Sequence, residues 1–118
     1  MEKAKYSVCL ITVDSFKLAN EIANGLVKEK LAACVNIIKG IKSIYRWQGR
    51  IEDSNELMLI IKTKRRLAKD VIRYVKEKHT YSVPEIIFLP IIVGNEDYLN
   101  WIEANTILTI HKNMRGKK

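Results

Sequence analysis

Leu31-Ala32-Ala33-Cys34-Val35-Asn36-Ile37 and then Tyr45-Arg46-Trp47-Gln48-Gly49 frame the segment whose reading decides the fold. The first run places a thiol inside an apolar stretch. The second sets a large aromatic just before Gln48-Gly49, a turn signal with positive φ available at the glycine. Residues 32–47 therefore read as one long strand, with Gly40 in its middle marking a bulge or bend. The chain returns as a second strand over residues 50–63. Residues 57–61 of that strand are continuously apolar, whereas Glu52-Asp53-Ser54-Asn55-Glu56 is polar. The pair predicts a long hairpin whose tip projects beyond the core or is irregular there. An isolated arm of this kind is marginal in water and needs a partner.

Working outward, residues 6–13 are apolar and partly β-branched, which predicts a strand. Asp14 or Ser15 can cap a following helix, in which Ala19, Ile22, Ala23, Leu26 and Val27 recur at helical spacing. Leu67, Ala68, Val71, Ile72 and Val75 form a second helical stripe, and residues 86–93 a fourth strand. Pro90 inside that strand cannot donate to a ladder, which suits an edge or a subunit boundary. Asn95 can cap a third helix, Glu96 and Asp97 suit its first-turn dipole, and Tyr98, Trp101 and Ile102 give its apolar side. No pattern follows Thr106, and residues 112–118 read as a frayed basic tail. The order strand, helix, strand, strand, helix, strand, helix predicts a single α+β domain over residues 1–118. It is a ferredoxin-like βαββαβ sandwich with an antiparallel four-stranded sheet plus a C-terminal helix. Two helices cover one sheet face. Ala33, Val35 and Ile37 against Cys34 and Ile38 put apolar side chains on both faces of the second strand, so the other face also needs cover.

The 118 residues, 47% of them hydrophobic, are enough for a core without disulfides. Cys9 and Cys34, both in apolar runs, fit a reducing cytoplasm better than a disulfide scaffold. The first residues lead straight into a strand-like run, so no signal peptide is expected. No apolar stretch approaches the ~18 residues of a membrane helix, and no membrane partner is expected. The formal charge is +8. Its lysines and arginines are spread, with Arg65, Arg66, Lys69, Arg73 and Lys76 on one predicted helix and Lys112, Arg115, Lys117 and Lys118 in the tail. That pattern reads as solvated surface, and any nucleic-acid binding should be non-specific and steeply salt-dependent. The RNA-recognition motif shares the element order, but the third strand, Glu56-Leu57-Met58-Leu59-Ile60-Ile61-Lys62, lacks the aromatics that stack bases.

Cys34 reads either as a small buried hydrophobe or as a soft metal ligand. His79 falls four residues after Val75, where it could meet helix-end carbonyls. Tyr45 and Trp47 share one side of their strand, as packing for a neighbouring subunit or as a stacking platform. Glu52, Asp53, Glu56 and Glu85 show no catalytic pairing. Lys62 ends an apolar strand and should seek an anion, with Glu56 or Glu85 as its expected salt-bridge partner. No CxxC, HExxH, phosphate loop or nucleophile–base pair is present, so a metal site would be assembled in space and no enzyme is expected.

These pieces, together with Ile61-Lys62-Thr63, His79 and Tyr81, Val83-Pro84-Glu85, Pro90-Ile91 and Tyr98-Leu99-Asn100-Trp101, resemble in order and spacing the CutA divalent-cation tolerance family. The resemblance covers about residues 5 to 102. That family usually carries a proline between its His and Tyr, where this chain has Thr80. The resemblance implies a cytoplasmic homotrimer in divalent-metal, specifically copper, homeostasis, with metal ions and itself as partners. It marks Cys34 and His79 as metal candidates. Tyr45, Trp47, Glu56, Lys62, Tyr81, Glu85 and Trp101 become cleft or interface candidates. Its kinship to the PII signalling proteins implies an alternative: a trimer that senses a small ligand or scaffolds a partner, favoured by a basic cleft around Lys62.

Overall fold

The computed structural model describes residues 4–108. The elements run β1 (Tyr6–Val13), α1 (Phe16–Lys28), β2 (Cys34–Trp47), β3 (Arg50–Lys64), a 3-10 turn (Arg65–Leu67), α2 (Ala68–Lys78), β4 (Ile86–Ile91) and α3 (Glu96–Ala104). The four strands form one antiparallel sheet in the order β2-β3-β1-β4. The ferredoxin-like expectation is met.

Local chemistry explains the boundaries. Ser15 caps α1, its hydroxyl accepting from the Leu18 amide. At the other end Lys30 adopts φ 59°, and the Lys30 and Leu31 amides bond back to Val27 and Leu26, closing the helix. Leu31-Ala32-Ala33 is thus consumed in leaving the helix, and β2 begins at Cys34 rather than two residues earlier. Arg65 and Arg66 sit in the 3-10 turn, not on α2. Asn95 caps α3 through the Asp97 amide.

Cys9, Ile11 and Val13 of β1 lie on the same face as Leu59 and Ile61 of β3, and the buried stripes of α1 and α2 close over them. Leu18, Ile22 and Leu26 come from α1, and Val71 and Val75 from α2. α3 lies against one end of the opposite face, where Ile102 and Leu99 pack on Tyr6, Ala33 and Ile91. The buried side of α3 is therefore Leu99 and Ile102. Tyr98 and Trp101, expected on it, remain nearly half exposed and stack on each other at 5.5 Å between ring centroids.

Beyond α3 the second face is open. Residues opposite one another in register share a face. Val8 lines up with Leu89, Leu10 with Ile60 and Ile87, and Ile38 with Met58. Ile87 and Leu89 are each 48% exposed. β2 and β4 are the sheet edges, so Pro90 stands on an edge strand as its chemistry requires. Among the described residues no helix is long and apolar enough to cross a membrane. His111 and residues 112–118, singled out in the sequence, lie outside the described residues.

Candidate functional site

The hairpin arm is paired throughout, down to Trp47 opposite Arg50, so its polar half is regular and projects. Gln48 and Gly49 close it with φ 51° and 79°, the positive values a two-residue primed turn demands. The arm's shape depends on one irregularity. The register shifts by one residue between Ile38 and Ile41, around Gly40 at φ 76°. Before the bulge, Cys34 and Ile38 face the open side. After it, Ile41 opposes Glu56, Ser43 opposes Ser54 and Tyr45 opposes Glu52. A one-residue slip reverses which side chains point where. The bulge therefore turns Ser43, Tyr45 and Trp47 onto the same face as Glu56, and so builds one wall of a cavity.

That cavity has a volume of about 610 Å³. Tyr45, Trp47 and Glu56 line it from the arm, Thr12 from the end of β1, and Tyr81, Val83 and Glu85 from the loop between α2 and β4. Glu56 is only 7% exposed, and the Tyr81 hydroxyl donates to its Oε2 at 2.6 Å. Burial first, and then the bond to Glu56, push the Tyr81 phenol well above its ordinary range. Tyr45 and Ser54 share a 2.7 Å hydroxyl–hydroxyl hydrogen bond.

His79 sets the loop. Its Nδ1 accepts from the Tyr81 amide at 3.1 Å, so Nε2 carries the proton and donates to the Thr12 carbonyl at 2.7 Å. The ring thus reaches β1, not the carbonyls of its own helix, and lies 4.6 Å from the Tyr81 ring, centroid to centroid. Thr80 Oγ1 donates to Asp14 at 3.3 Å, a bond that a proline there could not make.

A second group gathers where β2, β3 and α3 meet. Lys62 opposes Cys34 in register. Its ammonium donates to the Asn36 side-chain carbonyl and lies 3.9 Å from Cys34 Sγ. The expected salt bridge from Lys62 to Glu56 or Glu85 is not formed, because the ammonium turns to its β2 neighbours. The Tyr98 phenol is raised by burial first and then by the neighbouring Cys34, and Trp101 stacks beside it. The lysine of this strand that meets a carboxylate is Lys64 instead. Only 3% exposed, it meets Glu103 at 3.0 Å and the carbonyls of Thr106 and Ile107 at 3.4 and 3.1 Å. Lys64, and to a lesser degree Lys5 and Tyr6, hold the Glu103 carboxyl below the usual carboxylate range.

The predicted residues therefore fall into two sets. Tyr45, Trp47, Glu56, Tyr81 and Glu85 share the cavity, backed by His79, while Cys34, Lys62 and Trp101 belong to the second group. Thr12, Ser43, Ser54 and Asn36 were not foreseen; strand parity read through the bulge is the signal that finds them. Cys34 lies level with Lys62, and the Thr12 carbonyl that holds His79 lies level with Met58. Four residues of strand separate those levels, roughly 13 Å. Both ring nitrogens of His79 are engaged. Among the described residues no three His, Cys, Asp or Glu side chains converge to hold a metal ion. Cys9 is fully buried, and burial pushes its thiol up to about 12, with Glu85 adding to the shift.

A family model described as CutA1 divalent ion tolerance protein matches residues 7–105. A Thermus thermophilus relative named divalent-cation tolerance protein CutA is 50% identical over 99 residues, 84% of this chain and 96% of its own length. The chloroplastic protein CutA of Arabidopsis thaliana is 43% identical over 99 residues; the chain spans 54% of its length. A solved structure of the divalent cation tolerance protein CutA1 from Thermus thermophilus superimposes with a TM-score of 0.85 at 49% identity, over 86% of this chain and 99% of that one.

Proposed function

The chain belongs to the CutA1 divalent ion tolerance family, and from that premise we propose that it is a cytoplasmic homotrimer that binds metal ions, copper among them, in metal tolerance. The observation that carries this reading is the position of Cys34. Its strand register puts it on the sheet face left open by the helices, beside the apolar rows of Val8, Leu10, Ile60 and Leu89. Covering that face with other copies of the chain removes apolar surface from water and brings metal donors of different subunits toward one another. Among the described residues one subunit supplies no convergent set of three, so a metal centre here would be drawn from several subunits. Cysteine sulfur is a soft donor, the ligand type that suits copper. Two free cysteines suit a reducing compartment.

The test has two arms. Light scattering at micromolar concentration should give three times the 13.7 kDa of one chain, and a mass near one chain would refute the assembly. Reduced, chelator-stripped protein should take up Cu(I), and Cys34→Ser should lower the stoichiometry. Unchanged uptake would remove Cys34 from the site. The alternative of an anion-sensing trimer draws no support from the cavity, since two carboxylates and no lysine or arginine line it among the described residues.

A further inference from the structure

Within one subunit the cavity beside the arm holds negative charge with no counter-ion among the described residues. Among the described residues the ion pairs engage Glu103, Asp53 and Asp70, and none engages Glu56 or Glu85. Glu56 is nine-tenths buried, and among the described residues of one subunit the Tyr81 hydroxyl on Oε2 is the only donor it meets. An ionised carboxylate so placed carries a desolvation cost that one phenol offsets only in part. Glu52, opposite Tyr45 on the same face of the arm, adds a third negative charge nearby. Arg50, opposite Trp47 at the tip, is the one cation of that row and does not line the cavity.

The walls add a second, independent observation. Tyr45, Trp47 and Tyr81 present aromatic rings to the same space. The Tyr45 hydroxyl is held by Ser54 and the Tyr81 hydroxyl by Glu56, so these rings are fixed before any ligand arrives. Aromatic faces attract cations through their quadrupoles, and buried carboxylates accept N–H groups. A hard metal ion asks for six or more oxygen ligands close around it, and a pair of carboxylates in a cavity of about 610 Å³ is too sparse for that. The volume lies in the range of small-molecule sites.

We propose that this cavity binds an organic cation, with an ammonium or guanidinium head donating to Glu56 and an apolar body laid against Tyr45 and Trp47. The inference does not rest on metal binding, and the two stand or fall separately. In the proposed trimer the arm tip meets a neighbour, so the test uses the assembled protein.

The experiment titrates that protein, with excess chelator present throughout, by calorimetry and by Trp47 fluorescence in a Trp101→Phe background. The probes are 2-phenylethylamine, agmatine, tetramethylammonium and phenylacetate. Saturable binding of 2-phenylethylamine or agmatine is expected, with phenylacetate inert and tetramethylammonium weaker because it lacks N–H donors. Glu56→Gln should weaken the amine by at least about tenfold. Glu85→Gln, at an exposed position where folding is not at risk, should weaken it by about threefold. The proposal is overturned by no amine binding at ~10 mM, by phenylacetate binding as well as the amine, or by tetramethylammonium matching it. Wild-type affinity in Glu56→Gln overturns it too. Should Glu56→Gln lose its fold by circular dichroism, Glu85→Gln decides: a weakened amine supports the site and unchanged affinity refutes it.

Discussion

Replacing Tyr81 with phenylalanine removes one oxygen atom and tests how the cavity is held. The ring remains, and with it the 4.6 Å contact to His79 and the backbone bond from the Tyr81 amide to Nδ1. What goes is the 2.6 Å bond to Glu56, a carboxylate only 7% exposed. A hydrogen bond to a charged group contributes about 1.5–3 kcal/mol, and the half-open cavity lets water repair part of the loss, so we expect about 2 kcal/mol. For a domain of this size that is a fall in Tm of roughly 8 °C. Thermal unfolding must be read at fixed protomer concentration, because the proposed assembly would make apparent stability concentration-dependent. A double-mutant cycle with Glu56→Gln should show coupling of about 1–2 kcal/mol. The alkaline limb gives a second readout. Burial and the Glu56 bond raise the Tyr81 phenol in the folded state, so the fold keeps a proton that the unfolded chain releases near pH ~10. This contribution is complete below that pH and is lost as pH climbs past it. Tyr81→Phe should flatten the alkaline loss of stability. In an absorbance titration of the five tyrosines, Tyr81 and Tyr98 should ionise last. A Tyr81→Phe protein within ~0.3 kcal/mol of wild type, with no coupling to Glu56, would refute the reasoning.

Two further outcomes follow from the same structure. Glu103→Gln leaves the buried Lys64 ammonium with only carbonyl acceptors and should cost about 2 kcal/mol, discounted because Glu103 itself is more than a third exposed. Because the Glu103 carboxyl is lowered in the fold, its contribution is present above the unfolded carboxylate pKa near ~4.3 and is lost as pH falls through the lower folded value. The variant should therefore show a shallower acid limb in urea unfolding, and an unchanged limb would exclude the pair as its source. Trp47→Ala should weaken the proposed trimer by more than ~2 kcal/mol if the arm tip seats against a neighbour. Light scattering across a dilution series measures it, and an unshifted midpoint would free Trp47 for the cavity alone.

The long hairpin was legible because its signals are local. Gln48-Gly49 needs no tertiary context to turn, and Gly40 marks its own bulge. What the bulge does was not legible, since its effect is a change of parity relative to a partner strand, and only pairing shows which residues face which. The same limit explains the lysines. Lys62 and Lys64 share a strand face, but α3 decides which of them meets a carboxylate, and it passes over Lys64. Alternation on β3 treats the two alike. On α3, aromatic weight suggested a stripe through Tyr98 and Trp101, whereas the space above Tyr6 and Ala33 admits Leu99 and Ile102. The cavity residues were named together through family resemblance, for no periodicity links Glu56 to Tyr81. Their link is non-local: His79 ties the loop to the Thr12 carbonyl, and that bond delivers the Tyr81 hydroxyl to Glu56. Charge followed the same rule. The formal +8 reads as solvated surface with weak attraction to polyanions, yet the cavity beside the arm is lined by two carboxylates and, among the described residues, no lysine or arginine. Net charge governs long-range attraction, which salt screens beyond ~10 Å, while the sign inside a cavity is set by the few groups that line it. For this chain the two have opposite signs, so the basic exterior would oppose the approach of the organic cation proposed for the cavity. Raising salt should therefore speed association with the cavity while weakening the bound state less, because the buried Glu56 is screened less than the surface lysines.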